Sequence, residues 1–430
     1  MLNTPATQKL LERRVKSLGP AYVHFYQEPV HLVKGKGVWM WDEDGRKYLD
    51  CYNNVASVGH CHPDVVEALY RQAQKLNTHT RYLHNSAVEY AEMLAETLPG
   101  EISIANLVCT GSEANDYACQ IARRVTGNFG LIILNRAYHG STTLIRELSP
   151  EIRDEAAPDY VYEIDAPNTY RGRYSGDPEA FADHHAGLVD EAIEVLKDRG
   201  HGVAALLIDS IYDSPGIFAP PPAYQQKLFA KVRAAGGLII ADEIQSGLCR
   251  LGDNYWGVMD SGVTPDIIAM GKPMGGGHPL AVTATTPAIM QEYVDRGGDY
   301  FNTFAGNPVS AEVGKAVLEV VSRDNLLANV KETSRHLLTG LNALAEKHDI
   351  IGDVRGKGFF LAVELVRDRT SKAPAGEETI RAVEWMKDNG VLVSRIGWDA
   401  NIMKIRPPLV FGKHHADLAL ETLDAALTAL

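Results

Sequence analysis

Four short apolar runs place the strongest constraint on what this chain can fold into: 131–134 (Leu-Ile-Ile-Leu), 204–208 (Ala-Ala-Leu-Leu-Ile), 238–241 (Leu-Ile-Ile-Ala) and 267–270 (Ile-Ile-Ala-Met). None alternates apolar with polar residues, as a strand with one wet face does, and amphipathic stretches separate them. Strands buried on both faces read this way. The pattern after Ala105 therefore predicts an α/β fold with a mostly parallel sheet flanked by helices. With 430 residues, 45% of them hydrophobic and 23% charged, the chain can bury a core of that size.

Charge and cysteine usage narrow the partners. A net charge of -13 excludes general binding to nucleic acid or an anionic membrane, so any phosphate must be met by a local site. The first twenty residues carry Lys9, Glu12, Arg13, Arg14 and Lys16 and read as a short polar helix. No apolar run reaches the length of about eighteen residues that spans a bilayer, so no membrane partner and a cytoplasmic location are expected. Cys51, Cys61, Cys109, Cys119 and Cys249 are widely spaced and form no Cys-x-x-Cys pair, which predicts reduced thiols. The cluster Gly59-His60-Cys61-His62-Pro63 has no second group of ligands at zinc spacing, so no metal is expected.

Periodicity assigns further elements. Residues 36–50 alternate about Asp44-Gly45 as a β-hairpin, and 64–76 and 87–98 carry helical spacing. Near the end, 326–347 reads as a long helix and 352–365 as a turn leading into an alternating strand. A helix over 377–389, a strand over 391–394 and a last helix from about 414 complete a small α+β unit. The segment 170–178, with Gly172 and Gly176, is loop-like. The expected division is an N-terminal segment, 1–60, that joins the small domain, a large domain over 61–310, and a small domain over 311–430.

The ends of the apolar runs carry the chemistry. Run 238–241 leads into Asp242-Glu243-Ile244-Gln245, and Lys272 stands in Gly271-Lys272-Pro273-Met274-Gly275-Gly276-Gly277. A carboxylate at a strand end and a lysine in a glycine-flanked loop are the pair that pyridoxal phosphate requires: the amine condenses with the aldehyde, and the carboxylate keeps the ring nitrogen protonated. Desolvation of such a lysine lowers its pKa and supplies the neutral amine. Each residue also has an ordinary reading, a helix cap for Asp242 and a surface cation for Lys272. Thr110-Gly111-Ser112-Glu113 opens a helical run, where free N–H groups and the helix dipole seat a phosphate, or where Thr or Ser simply caps the helix. Tyr138 and His139 follow run 131–134, placed either to stack on a flat ring or in a plain strand-end turn.

With these segments in order, the chain resembles the class III aminotransferases, pyridoxal phosphate enzymes of fold type I, over nearly its whole length. The resemblance implies that Gly111 and Ser112 hold the cofactor phosphate, that Tyr138 or His139 lines the ring, that Asp242 pairs with the ring nitrogen and that Lys272 carries the cofactor. It further implies Gln245 near the ring hydroxyl and Thr303 reaching the cofactor phosphate of a partner subunit, hence a homodimer with shared active sites. One departure is Asp209-Ser210, where the family more often has glutamate followed by proline or a small residue.

Residues 52–63, 76–84 and 270–274, together with His278-Pro279, are similar to the alanine-glyoxylate aminotransferase 2-like branch, which includes phospholyases. That resemblance implies a phosphorylated amine substrate, ethanolamine phosphate or phosphohydroxylysine, and elimination of phosphate in place of amino transfer. An arginine fork suits either phosphate or carboxylate, and Arg81, Arg171 and Arg406 are the candidates. The alternatives are a transaminase passing an amino group to a keto acid, and a non-catalytic cofactor-binding protein, which the intact Lys272 and Asp242 disfavour.

Overall fold

The apolar runs form the middle of a seven-stranded sheet. Its spatial order is Ile104–Val108, Ala281–Thr285, Ile267–Met270, Leu238–Asp242, Val203–Asp209, Gly130–Leu134 and Val161–Ile164. From Ile267–Met270 onward every neighbouring pair is parallel, and Ala281–Thr285 runs antiparallel to both its neighbours. The computed structural model describes residues 5–174 and 176–430. The first four residues of the expected N-terminal helix, and Ser175 in the loop-like segment, lie outside the described residues; the helix itself spans Pro5–Leu18.

The lack of alternation in the runs has a direct cause. Ile132, Leu206, Ile239 and Ile268 face one hydrophobic cluster with the helices Pro178–Asp198 and Pro222–Ala234. Leu131, Ile133, Leu207 and Ile240 face another, built on the helix Gly111–Thr126. Successive side chains point to opposite faces and both faces are covered, so every position is apolar. Burying each such side chain contributes about 1.5–3 kcal/mol. Asp209 pairs with Asp242, and Asp242 with Ala269, so three strands end level with one another. Lys272 emerges at the same carboxyl edge, where ligands of open α/β sheets bind.

The C-terminal part differs from expectation in one hairpin. Residues 352–357 are not a turn but belong to the strand Ile351–Lys357, and the turn is Gly358-Phe359, with Gly358 at φ +55°. The following strand, Phe360–Asp368, does not alternate in burial. Leu361, Val363 and Leu365 enter the main core, while Phe360 and Ala362 pack with Ile211, Ile217 and Leu251 from the large sheet's loops. Docking of one part on the other covers the face that a free-standing sheet leaves wet.

The segment expected as one strand over 391–394 is split. Val391–Leu392 pairs in parallel with Lys47–Asp50 of the N-terminal hairpin, and Ser394–Ile396 joins Ile402–Ile405. Backbone hydrogen bonds therefore tie the first fifty residues to the C-terminal part. The helices Leu326–Lys347, Gly376–Asp388 and Lys413–Thr428 lie near the expected bounds. No helix among the described residues is long and apolar enough to cross a membrane.

Candidate active site

Asp242 ends its strand nearly buried, at 5% exposure, and three donors hold it. Its Oδ1 accepts the N–H of Ile244 at 3.1 Å, while Oδ2 accepts Asn115 Nδ2 at 2.8 Å and lies 2.7 Å from His139 Nδ1. A carboxylate oxygen accepts, so a proton on His139 Nδ1 makes this contact a hydrogen bond. Asn115 Nδ2 also donates to the His139 carbonyl at 2.8 Å, and Ser149 Oγ accepts the His139 N–H at 2.9 Å. The carboxylate is thus fixed in orientation, with no guanidinium or ammonium in contact among the described residues. Tyr138 is 37% exposed, and burial together with Asp242 raises its phenol pKa.

The Gly111–Thr126 helix starts beside it. Thr110 and Glu113 form a reciprocal capping box, and the N–H groups of Gly111 and Ser112 have no acceptor among the described residues. Three chain segments meet here only because glycines let them. A Cβ on Gly111 would stand 2.7 Å from Ile244 Cδ1, and one on Gly271 3.0 Å from Ile244 Cγ2. Gly140, at φ +138°, brings Ser141 close enough for its N–H to bond Ser112 Oγ at 3.0 Å; a Cβ there would lie 2.9 Å from Ser112 Cα. The lysine loop is pinned by Ser57 Oγ donating to the Pro273 carbonyl at 2.7 Å.

Burial lowers the Lys272 pKa, and Arg406 lowers it further against the opposing charges of Asp242, Asp213 and Asp209. Opposite lies a cluster of charged groups. Lys404 Nζ bonds both oxygens of Asp213, at 2.8 and 3.0 Å, and Arg406 Nη1 stands 3.7 Å from the same carboxylate. Burial opposes the charge of Asp213, yet Lys404 and Arg406 together hold its carboxyl below the usual range. Burial pushes Lys404 down to about 8 even with Asp213 in contact. Burial, Asp242 and Asp213 push Asp209 up to about 7. Gln245 bridges the cluster, donating to Asp213 and accepting from Arg406 and from Asn54 Nδ2. Arg406 Nε donates to the Tyr52 carbonyl at 3.1 Å.

The structure brings Gly111, Ser112, Tyr138, His139, Asp242, Gln245, Lys272 and Arg406 to this one edge. It does not bring Arg171 there as a free receptor. That guanidinium is committed to Glu364, at 2.6–2.7 Å, and to the Lys372 carbonyl at 2.6 Å; Glu364, 2% exposed, also pairs with Arg355 at 2.8 Å. Arg81 and Thr303 are exposed, on a surface where the Arg81 guanidinium lies 3.8 Å over the Phe301 ring. Sequence reasoning missed Asn115, Asp213 and Lys404. Two carried a signal: a polar residue among Ala114, Ala118 and Ala122 on a buried helix face, and a lysine inside the apolar strand Ile402–Ile405.

Free N–H groups at a helix start, a glycine-lined approach, a fixed carboxylate and a desolvated lysine fit a flat aldehyde-bearing ring with a phosphate arm. They define the site class of a fold type I pyridoxal phosphate enzyme. The chain belongs to the class III aminotransferase family, whose model matches residues 22–427, and pyridoxal phosphate is its cofactor. It is similar to an alanine-glyoxylate aminotransferase 2-like protein of Drosophila melanogaster, 38% identical over all of this chain and 90% of that one. It is similar also to ethanolamine-phosphate phospho-lyase homolog 1 of Caenorhabditis elegans, 35% identical over 98% of this chain and 94% of that one. Among solved structures, an Arthrobacter phospholyase in complex with phosphoethanolamine superposes with a TM-score of 0.95 and 40% identity, covering 98% of this chain and 100% of the other.

Proposed function

We propose that this protein is a phospholyase that eliminates phosphate from ethanolamine phosphate, giving acetaldehyde, ammonia and inorganic phosphate. One observation carries the reading: the 40% identity and TM-score of 0.95 to a phospholyase solved with phosphoethanolamine, held over 98% of the chain. The bound cofactor supplies a ring that draws electrons from the substrate carbon beside the amine. Lys272, kept below the ordinary lysine range by burial and Arg406, holds the cofactor aldehyde and, once displaced, takes the proton from that carbon. Asp242 would present its fixed carboxylate to the ring nitrogen, Tyr138 and His139 would line the ring, and the free N–H groups of Gly111 and Ser112 would hold the cofactor phosphate. Gln245, bonded to Asp213, Arg406 and Asn54, would lie near the ring hydroxyl. The carbon–oxygen bond of the neighbouring carbon then breaks, its electron pair leaves with phosphate, and hydrolysis of the released enamine completes the products.

Arg406 is the substrate-side cation of this chain. Arg81 and Thr303 would lie on the face that meets a second copy, where Thr303 would reach the neighbouring cofactor's phosphate; exposed Tyr82, Leu83 and Phe304 on that surface support this reading. A transaminase is the second reading, supported by the 38% identity to a protein named as aminotransferase-like. The test mixes cofactor-loaded enzyme with ethanolamine phosphate and no keto acid. Catalytic release of phosphate, ammonia and acetaldehyde in equal amounts is expected. No release, with cofactor absorbance that shifts on adding an amine donor and recovers on adding a keto acid, assigns the transaminase instead.

A further inference from the structure

We infer that Lys404 determines specificity for a phosphorylated amine, by supplying with Arg406 a second cation for the substrate's phosphate. The inference rests on the phospholyase reading for the reaction, but its geometry stands alone. Lys404 and Arg406 are two residues apart at the end of the strand Ile402–Ile405, so both side chains leave the same face. Lys404 is 6% exposed and Arg406 4%. Both act electrostatically on Lys272, which puts them within range of the reacting amine.

Glu151 acts on Lys404 through space without an ion-pair contact among the described residues, so the direct contacts decide how the two cations are held. Two cations share one carboxylate, Asp213, and among the described residues the Arg406 guanidinium otherwise bonds neutral acceptors, the Tyr52 carbonyl and the Gln245 amide oxygen. Asp242 faces His139 and Asn115, and Asp209 accepts the backbone N–H groups of Ile211 and Asp213, at 2.9 and 2.8 Å. A substrate carboxylate carries one charge and a single arginine fork satisfies it. A phosphate ester carries nearly two, on three oxygens, and calls for two cations. Lys404 is the second, held in place by Asp213 and lowered toward neutral pH by its burial. It is also suited to neutralise phosphate as the carbon–oxygen bond breaks.

The test uses holoenzyme and 3-aminopropylphosphonate, in which a methylene replaces the oxygen of ethanolamine phosphate and nothing can leave, followed by the shift in cofactor absorbance. Propylamine and 4-aminobutyrate serve as the uncharged and carboxylate counterparts. Lys404→Gln is expected to weaken phosphonate binding by about 10- to 100-fold, as loss of a charged hydrogen bond does. It should leave propylamine binding within about twofold, which also establishes that the variant folds, and Lys404→Arg should restore most of the phosphonate affinity. Equal phosphonate binding by wild type and Lys404→Gln, or an equal loss of phosphonate and propylamine, overturns the inference. If wild type releases no phosphate from ethanolamine phosphate while phosphonate preference still depends on Lys404, the proposed reaction falls and the role of Lys404 in holding the anion stands.

Discussion

Asn115→Ala tests how Asp242 is kept in place. The Asn115 side chain is fully buried and its Oδ1 has no partner among the described residues, so it contributes through Nδ2 alone. That nitrogen makes one bond to a carboxylate and one to a carbonyl, both 2.8 Å. The first is worth about 1.5–3 kcal/mol and the second about 1, so truncation costs about 3 kcal/mol. With an unfolding entropy of about 2.1 cal/mol/K per residue, about 0.9 kcal/mol/K here, the melting temperature of the apoprotein falls by about 3 °C. The catalytic effect has a different size. Asp242 keeps the Ile244 N–H and His139 but loses one of three constraints, and kcat for phosphate release falls by about 10- to 100-fold. Asn115→Asp puts a second carboxylate 2.8 Å from the first; the two cannot both ionise, so at neutral pH this variant is slower than the alanine. Differential scanning fluorimetry of the apoprotein and steady-state phosphate release read the two effects. An alanine variant with unchanged melting temperature and unchanged kcat refutes the network.

Four further outcomes follow from named contacts. Asp242→Asn keeps the side-chain shape but removes the charge, and kcat should drop by about 100-fold or more with cofactor still bound; near-normal turnover would remove Asp242 from the mechanism. Gly140→Ala forces a Cβ against Ser112 at φ +138°, so the Kd for pyridoxal phosphate by absorbance titration should rise by about tenfold or more, and an unchanged Kd argues against the seat at Ser112. Arg171→Ala breaks the pair with buried Glu364, lowering stability while leaving the KM for ethanolamine phosphate within about threefold; a large KM increase returns Arg171 to the substrate. Asp209 has a folded pKa raised to about 7, so its contribution to stability is full below about pH 4 and lost as pH rises through about 7. Asp209→Asn should therefore gain on wild type in urea unfolding across that window, and parallel pH profiles would contradict the assignment.

What the sequence made legible follows from how local each feature is. The buried strands, the helix start at Gly111 and the lysine loop are written in runs of four to nine neighbouring residues, and periodicity or glycine content reveals them. The hairpin Ile351–Asp368 was misread for the opposite reason. Its second strand is buried on both faces only because Ile211, Ile217 and Leu251, more than a hundred residues earlier in sequence, pack against one of them. No local window contains that information. Arg171 failed in the same way, since Glu364, its partner, lies 193 residues away and nothing near Arg171 marks it as engaged.

The site divides along the same line. Parts that serve cofactor chemistry in general, Lys272, Asp242 and the glycines, sit at strand ends of one sheet, where register alone aligns them. The parts proposed to face the substrate come from the segment around Tyr52, the loop at Asp213 and the strand bearing Lys404 and Arg406, joined by contacts spanning 161 to 354 residues of sequence. A change in one of these distant segments can alter which anion is held without touching the sheet edge that performs the proton transfer. On the proposed reading, the two cations that share the Asp213 carboxylate, Lys404 and Arg406, would together hold a phosphate, whereas a carboxylate is satisfied by a single arginine fork. Replacing Lys404 changes that count by one while leaving Lys272 and Asp242 in position.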